Sequence, residues 1–169
     1  MPIVTTIEGR IAQVAIDRPE KRNTLSSELC KDLAREFLEL NDDTRVRSIV
    51  LCGHNNVFCA GLDIEEQLAE NTPIFNEFQK VIDALDALSK PVVAAVSGPA
   101  VSQGAAMLYH CDLVFAGEHA LFSMPGLALG QTPRYGVSLL AVKSGGYKLA
   151  AQKLLLSEPI SAAEAVAMG

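Results

Sequence analysis

Apolar and polar residues follow one another along the chain in a pattern that predicts short strands joined by helices. Two runs rich in β-branched residues, Ile3–Glu8 and Ile11–Ile16, are separated by only two residues, which predicts a β-hairpin. A helix then begins after a serine cap, Ser26 or Ser27, with Glu28 in its first turn. Its apolar positions recur at helical spacing: Leu29, Leu33, Phe37 and Leu40.

Beyond this helix, predicted strands and helices alternate as in βαβ units. Apolar runs predict strands at 48–52, Val92–Val96 and Leu113–Ala116, and a shorter strand-like stretch begins at Phe122. Between and after them, the spacing of apolar residues predicts helices over 75–88, 102–110 and Tyr147–Leu155. A last helix begins after Ser161, with Glu164 three residues further on as in a capping box. The pattern therefore predicts an α/β fold.

Two strand-to-helix junctions are the candidate functional stretches. Residues 97–108 follow the strand Val92–Val96 and are rich in small residues, which indicates a tight turn and a closely packed helix. Residues 58–64 follow the predicted strand 48–52 in a similar way. The first backbone N–H groups of a helix have no intrahelical partner and lie at the positive end of its dipole. Such junctions can hold an anion, and two of them can offer two donors to one developing oxyanion.

Composition and charge narrow the class of protein. With 169 residues, 49% of them hydrophobic and 20% charged, the chain fits one folded domain with a substantial core. The net charge is −6 and the basic residues are scattered, so we expect no nucleic-acid partner. No signal-like segment opens the sequence, and no apolar run approaches the ~20 residues that span a bilayer, so we expect a cytoplasmic location and no membrane contact.

The cysteines and histidines do not form a pattern typical of a metal site. The four cysteines have no C-x-x-C spacing, and the three histidines are isolated from one another in the sequence. Most of the cysteines lie in apolar segments, where a thiol behaves as a small hydrophobic group. We therefore expect no disulfide and no bound metal.

Several motifs occur in one order along the chain. They are 17–25, the loop 58–64, 90–108, 111–113, 120–122, 129–130 and 160–165. In this order they resemble the enoyl-CoA hydratase/isomerase family, also called the crotonase superfamily. The local sequences at 97–101 and 129–133 look closest to the delta-3,delta-2-enoyl-CoA isomerase branch and its chromodomain-Y-like relatives.

The resemblance carries expectations about the fold and the assembly. It implies a crotonase-like spiral of ββα units, with two roughly perpendicular sheets flanked by helices. Residues 1–169 would form one acyl-CoA-binding domain that lacks the helical C-terminal part usual in the family. If the full-length protein has those helices, we expect a homo-oligomer, a trimer or a hexamer.

The resemblance also implies how a substrate would bind. In this family a coenzyme A thioester places its carbonyl oxygen between two backbone N–H groups, and by register these belong to Ala60 and Gln103. Coenzyme A enters as part of the substrate, and no covalently bound cofactor is expected. Its phosphates would lie near Lys21 and Arg22. The other expected coenzyme A contacts come from the loop itself: Cys59, Ala60, Gly61, Leu62, Asp63 and Ile64.

The acid/base positions depart from the family pattern. Hydratases use two glutamates, and the matching positions here hold Ala106 and Gly126, neither of which can move a proton. Hydration of a double bond is therefore not expected. Isomerases use one glutamate, and its position holds Arg134, which stays protonated. The candidates for a replacement base are Tyr135, Asp63, Glu65, Glu66 and His110.

Three functional hypotheses follow. The first is an isomerase-type enzyme of fatty-acid metabolism with a non-standard acid/base group. The second is a member of the family that binds acyl-CoA, or a protein partner, without catalysis. The third is a thioesterase or decarboxylase that uses the same pair of N–H donors, because those reactions need less help from a side chain.

Overall fold

The computed structural model describes residues 2–169 as two β-sheets surrounded by helices. The strands are β1 (Ile3–Glu8), β2 (Ile11–Ile16), β3 (Ser48–Gly53), β4 (Val92–Val96), β5 (Ala100–Val101), β6 (Leu113–Ala116), β7 (Leu121–Ser123) and β8 (Ile160–Ser161). The α-helices are α1 (Ser27–Asp42), α2 (Ile64–Gln67), α3 (Ile74–Asp86), α4 (Gln103–Leu108), α5 (Val137–Gly145), α6 (Tyr147–Leu155) and α7 (Ala162–Met168). Short 3₁₀ turns cover Pro19–Lys21 and Leu127–Leu129.

The larger sheet has the strand order β1-β2-β3-β4-β6. The predicted hairpin is confirmed, because β1 pairs antiparallel with β2 and Ile3 lies opposite Ile16. The other three pairings are parallel. Parallel neighbours need a crossover connection, and α1, α3 and α4 lie between the successive parallel strands. The carboxyl ends of β3 and β4 therefore lead into the two candidate loops.

The smaller sheet has the order β5-β7-β8, and β5 belongs to the candidate stretch 97–108. β5 pairs in parallel with β7, so Ala100 lies opposite Phe122, and β7 pairs antiparallel with β8. The expected α/β fold with two sheets flanked by helices is confirmed.

Helix α1 packs against α3 over the core. The Ser26 hydroxyl accepts the Leu29 N–H at 3.1 Å, so Ser26 is the cap, one of the two serines predicted. The predicted apolar face of α1 is buried as a whole: Leu29, Leu33, Phe37 and Leu40. At the other end, the Lys90 ammonium donates to the carbonyl oxygens of Leu40 and Asp43 at 2.6 and 2.7 Å. It thereby satisfies carbonyls that the last helical turn leaves unpaired.

Two helices were not predicted from the sequence. Helix α5 begins after Gly136, which has φ +70°, and no side chain caps it. Helix α2 is a single turn capped by Asp63, and its sequence is acidic and polar. In contrast, α6 has the predicted bounds, and the capping box of Ser161 and Glu164 at α7 is confirmed.

Helix α4 is shorter than predicted, but every residue in it is buried, as expected for the helix after the candidate turn. Its small residues allow this close packing: a Cβ placed on Gly104 would overlap the backbone carbonyl oxygen of Cys59. The described residues contain no helix with both the length and the apolar character needed to cross a membrane.

Candidate functional site

The turn before α4 presents an unpaired backbone donor. Ser102 has φ +55°, and its N–H donates to the Ser123 carbonyl oxygen at 2.7 Å, which fixes the turn to the smaller sheet. Gln103 is the first residue of α4 and is only 6% exposed. As in any first helical turn, its N–H has no intrahelical acceptor, and no other acceptor for it lies within residues 2–169. The Gln103 N–H is therefore free to donate to a ligand, and its role as the predicted donor stays a prediction.

The loop 58–64 lies directly against this turn. The Val101 N–H donates to the Cys59 carbonyl oxygen at 2.9 Å. Gly61 has φ +95°, and a Cβ placed on it would lie 3.1 Å from Ser102 Cβ and 3.2 Å from Gln103 Oε1. The two predicted loops are thus in contact, with Gly61 at the point where they meet.

Within this loop, the free donor is not at the predicted residue. The Ala60 N–H donates to the Arg22 carbonyl oxygen at 3.2 Å, so it already has an acceptor. Leu62 instead forms a parallel bridge with Leu25, in which the neighbouring groups of Gly61 and Asp63 make the hydrogen bonds, both 2.8 Å. The Leu62 N–H is left without an acceptor in residues 2–169, although Leu62 is 2% exposed. Buried N–H groups are rarely unpaired, which marks Leu62 as the better candidate for the second donor.

A partly open pocket, with about 470 Å³ of empty space, begins at Ser102 and Gln103. The three positions at which the family carries acid/base groups all line it, so the structure brings Ala106, Gly126 and Arg134 together as the motif order predicts. The remaining lining residues are Met124, Leu127, Gln131, Thr132, Pro133, Tyr135, Val137 and Leu154. No aspartate or glutamate of residues 2–169 belongs to this lining. The described pocket consequently has no carboxylate to act as a base.

Arg134 stands in the pocket wall as an exposed cation. Its guanidinium carbon lies 4.8 Å from the centre of the Phe75 ring, which is within the range of a cation–π contact. None of the ion pairs within residues 2–169 includes Arg134. Its charge is therefore available to a ligand.

Tyr135 and His110 were considered as replacements for the missing base. The Tyr135 hydroxyl donates to the Phe75 carbonyl oxygen at 3.3 Å, and burial raises the pKa of Tyr135 to about 12. A phenol with this pKa holds its proton at neutral pH. The His110 ring lies between the Asp86 carboxylate (Nδ1, 2.7 Å) and the Tyr135 carbonyl oxygen (Nε2, 2.9 Å), and it does not line the pocket.

The three acidic candidates have structural partners away from the pocket. One Asp63 oxygen accepts the Glu65 N–H at 3.1 Å as the cap of α2, and the other lies 3.1 Å from the Arg18 guanidinium. Glu66 accepts hydrogen bonds from the Ser27 N–H and hydroxyl at 2.8 and 2.6 Å. Glu65 pairs with Lys21. Each of these carboxylates belongs to α2 or its cap and pairs with a group outside the pocket, and none of the three lines the pocket.

The two residues expected to contact the phosphates, Lys21 and Arg22, differ in whether a carboxylate already pairs with them. The Lys21 ammonium lies 2.9 Å from Glu65 and 3.9 Å from Asp63. The hydrogen bond to Glu65, with the charges of Asp63 and Glu65, raises the pKa of Lys21. Arg22 is exposed and has no carboxylate partner within residues 2–169. Arg22 is thus the better placed of the two for a phosphate.

Of the other predicted loop residues, Cys59 is fully buried and Ile64 is 65% exposed. Burial raises the pKa of the Cys59 thiol to about 12, and the Gly61 N–H points at its sulfur from 3.4 Å. Cys59 is thus a neutral packing residue beneath the loop, whereas Ile64 presents an apolar surface at its outer end. No cluster of metal-ligating side chains occurs in residues 2–169.

Sequence reasoning did not single out Asn23, which connects the elements of the site. Its side chain is completely buried, and its amide nitrogen donates to the carbonyl oxygens of His54 and Val57 at 3.0 and 2.7 Å. Its oxygen accepts the Arg18 N–H at 2.9 Å. The sequence shows that Asn23 is a polar residue inside the motif 17–25, but it does not indicate which backbone groups the side chain contacts.

Comparison with known proteins identifies the family. The enoyl-CoA hydratase/isomerase family model matches residues 6–169, and the chain belongs to this family. It is 33% identical to the short-chain-enoyl-CoA hydratase of Clostridium acetobutylicum, over 99% of this chain and 66% of that protein. It is 31% identical to the 2,3-dehydroadipyl-CoA hydratase of Escherichia coli, again over 99% of this chain and 66% of the relative. The chain thus spans just under two thirds of the length of these curated relatives.

Solved structures confirm the crotonase-like fold. An enoyl-CoA hydratase/isomerase from Pseudoalteromonas atlantica T6c superposes with a TM-score of 0.93 at 32% identity, over 100% of this chain and 67% of that one. An enoyl-CoA hydratase from Mycobacterium tuberculosis H37Rv gives a TM-score of 0.86 at 28% identity, over 100% of this chain and 71% of that one. The curated relatives named above are hydratases, so the isomerase branch is not specifically supported.

Proposed function

We propose that this protein binds acyl-CoA thioesters and holds the thioester carbonyl oxygen between the backbone N–H groups of Leu62 and Gln103. The observation that carries the proposal is the pair of buried, unpaired N–H groups on two loops that touch at Gly61. A carbonyl oxygen can accept two hydrogen bonds, and it accepts them more strongly as it becomes an enolate oxygen. Each such donor contributes roughly 3 kcal/mol when it is directed at developing charge.

The rest of the molecule fits an extended ligand. The apolar wall formed by Ala106, Leu127, Val137 and Leu154 would receive the acyl chain. The coenzyme A portion would leave along the loop 58–64, where Ile64 offers an exposed apolar contact and Arg22 an exposed cation without a carboxylate partner in residues 2–169. Lys21 contributes less to this binding in our proposal, because its charge is already paired.

The pocket lining offers few groups for catalysis. An isomerase reaction needs a group that carries a proton between two carbons, and among residues 2–169 the only ionisable side chains in the lining are those of Arg134 and Tyr135. We infer that residues 2–169 support at most trace isomerase or hydratase turnover, so the isomerase activity stays a prediction. Thioester hydrolysis and decarboxylation would use the same donors, but no particular contact favours either.

A homo-oligomer, expected if the full-length protein has the C-terminal helices, remains our proposal for the assembly, and a cytoplasmic location remains a prediction. Support for self-association comes from β6, an edge strand of the larger sheet with three exposed apolar side chains, Leu113, Val114 and Phe115. Such a surface favours association with another protein surface. Sedimentation equilibrium of a full-length protein with these helices would give the number of copies, and a monomer at all concentrations would contradict the proposal.

The functional proposal is tested with two ligands that differ only at the thioester. Butyryl-CoA carries the carbonyl, whereas S-butyl-CoA is a thioether of the same chain length without it. We expect calorimetry to give at least tenfold tighter binding of butyryl-CoA, because only that ligand can accept the two N–H bonds. Difference Raman spectra should also show the bound carbonyl stretch at lower frequency than in solution. Equal affinities and an unchanged carbonyl frequency would contradict the proposal.

A further inference from the structure

The acyl pocket contains a charged residue, Arg134, whose charge no group within residues 2–169 neutralises. Arg134 is the only Lys, Arg, Asp or Glu in its lining, and among residues 2–169 its guanidinium contacts the Phe75 ring rather than a carboxylate. The protein as a whole carries a net charge of −6, so this isolated positive charge is not part of a generally basic surface. An uncharged acyl chain offers this cation no hydrogen-bond acceptor at its far end, whereas a second carboxylate would.

The surroundings of Arg134 are those of a binding group for an anion. The Arg134 guanidinium carbon lies over the Phe75 ring, and none of the side-chain hydrogen bonds within residues 2–169 uses its N–H groups, so these are available to a ligand. Gln131 and Thr132 precede it in the same pocket wall and supply further hydrogen-bonding side chains. A guanidinium matches a carboxylate with two parallel hydrogen bonds, whereas it has no use for a methyl group. The apolar part of the lining, with Val137 and Leu154, suits the methylene groups that lie between the thioester and the second carboxylate.

We propose that the pocket selects acyl groups that carry a second carboxylate, and that Arg134 is the specificity-determining residue that binds it. The ligand class is therefore the coenzyme A half-thioesters of dicarboxylic acids. This inference rests on the proposed function, because the acyl chain must enter the pocket next to Gln103 for its far end to reach Arg134. It assigns Arg134 a role in recognition, at a position where isomerases of the family carry their base.

The test compares acyl groups matched in carbon number. Succinyl-, glutaryl- and adipyl-CoA are titrated against butyryl-, pentanoyl- and hexanoyl-CoA, with free CoA as the reference ligand. We expect at least one dicarboxylic ligand to bind about tenfold more tightly than its neutral counterpart, the effect of one good charge-assisted contact. Arg134→Gln should abolish this preference and leave the neutral ligands bound as before. Arg134→Lys should keep only part of it, because an ammonium lacks the two-pronged geometry.

Lys143→Gln is the matched control. Lys143 is exposed at the end of α5 and does not line the pocket, so the variant removes one positive charge without touching the site. We expect it to keep the full preference for dicarboxylic ligands. An equal loss in both variants would show a long-range effect of net charge and would overturn the assignment of Arg134.

The remaining outcomes separate the inference from the functional proposal. If wild-type protein binds neutral and dicarboxylic acyl-CoA equally, and both more tightly than free CoA, the inference fails and the proposed function stands. If Arg134→Gln weakens free CoA as much as the dicarboxylic ligands, Arg134 binds a phosphate, and the inference fails again. If no acyl-CoA binds more tightly than free CoA, the proposed function is overturned, and the inference with it.

Discussion

The Ala60 N–H donates to the carbonyl oxygen of Arg22, and this 3.2 Å hydrogen bond ties the loop 58–64 to the turn that precedes α1. The bond removes Ala60 from the set of free donors and leaves that role to Leu62. It also makes the position of the loop depend on the turn around Arg22 and Asn23, both of which have left-handed backbone angles. The geometry of the candidate site is therefore set partly by residues that do not touch the pocket.

Asn23→Ala should lower the free energy of unfolding by about 3 kcal/mol, because it removes three hydrogen bonds from a buried side chain to partly buried backbone groups. Denaturant unfolding measures the loss. Asn71→Ala is the control, since Asn71 has the same φ of +57° but is exposed and makes no side-chain hydrogen bond within residues 2–169. It should cost only about 1 kcal/mol, the strain of alanine in the left-handed region. Similar losses in the two variants would show that backbone conformation, and not the buried hydrogen bonds, explains Asn23.

Gly104→Ala should destabilise the protein by about 2 kcal/mol or more, because the added methyl group would overlap the Cys59 backbone carbonyl, which cannot move aside alone. Gly145→Ala is the matched helical control. There the added methyl group would meet the Met168 side chain, which can change rotamer. Thermal unfolding of both variants measures the difference. A Gly104→Ala protein as stable as Gly145→Ala would mean that α4 does not approach the loop so closely.

The free energy of unfolding at acidic pH should depend on Glu164. Its hydrogen bonds from Lys153 and from Ser161 lower the pKa of Glu164 to about 2 from an ordinary value of 4.5. A lowered folded-state pKa stabilises the protein above pH 4.5, and this contribution is lost as the pH falls from 4.5 towards 2. Glu164→Gln should therefore flatten the stability profile over that interval, measured by urea unfolding at successive pH values. Glu118→Gln, at an exposed site, should leave the profile unchanged; a profile unaffected by Glu164→Gln would contradict this assignment.

Arg22→Gln should weaken the binding of coenzyme A by about threefold, as expected for an exposed charge near a phosphate. Lys21→Gln should have a smaller effect, because Lys21 is already paired with Glu65. Calorimetry with coenzyme A and with dephospho-coenzyme A would show whether a particular phosphate is involved. A larger effect of Lys21→Gln would reverse our ranking of the two residues.

Local patterns predicted much of the fold. The hairpin, α1 with its buried face, α6 and the capping box of Ser161 depend on residues close in sequence, so their signals lie within short windows. Helix α5 has no such signal, because it begins after a left-handed glycine without a capping side chain. The contact of Lys90 with the end of α1 joins residues 47 to 50 positions apart, which no local pattern could indicate.

The sequence predicted the positions around the candidate site and one of its two N–H donors, Gln103, but not the other. Motif order placed Ala106, Gly126 and Arg134 around one pocket, and the structure brings them together there. The choice between Ala60 and Leu62 depends on which backbone groups the bridge to Leu25 uses, and a backbone hydrogen bond leaves no trace in the side-chain sequence. The sequence also does not indicate which groups pair with the carboxylates of Asp63, Glu65 and Glu66, because those partners lie in distant segments.

The pair of N–H donors is tested most directly by the amide signals of the isotope-labelled protein in two-dimensional NMR spectra, recorded with S-butyl-CoA and then with butyryl-CoA. The two ligands differ only in the carbonyl oxygen, so amide protons that bind this oxygen should move downfield with butyryl-CoA alone. We expect this change at Leu62 and Gln103, and none at Ala60, whose N–H is held by Arg22. A downfield change at Ala60 with none at Leu62, or no difference between the two ligands at any of these residues, would contradict the account.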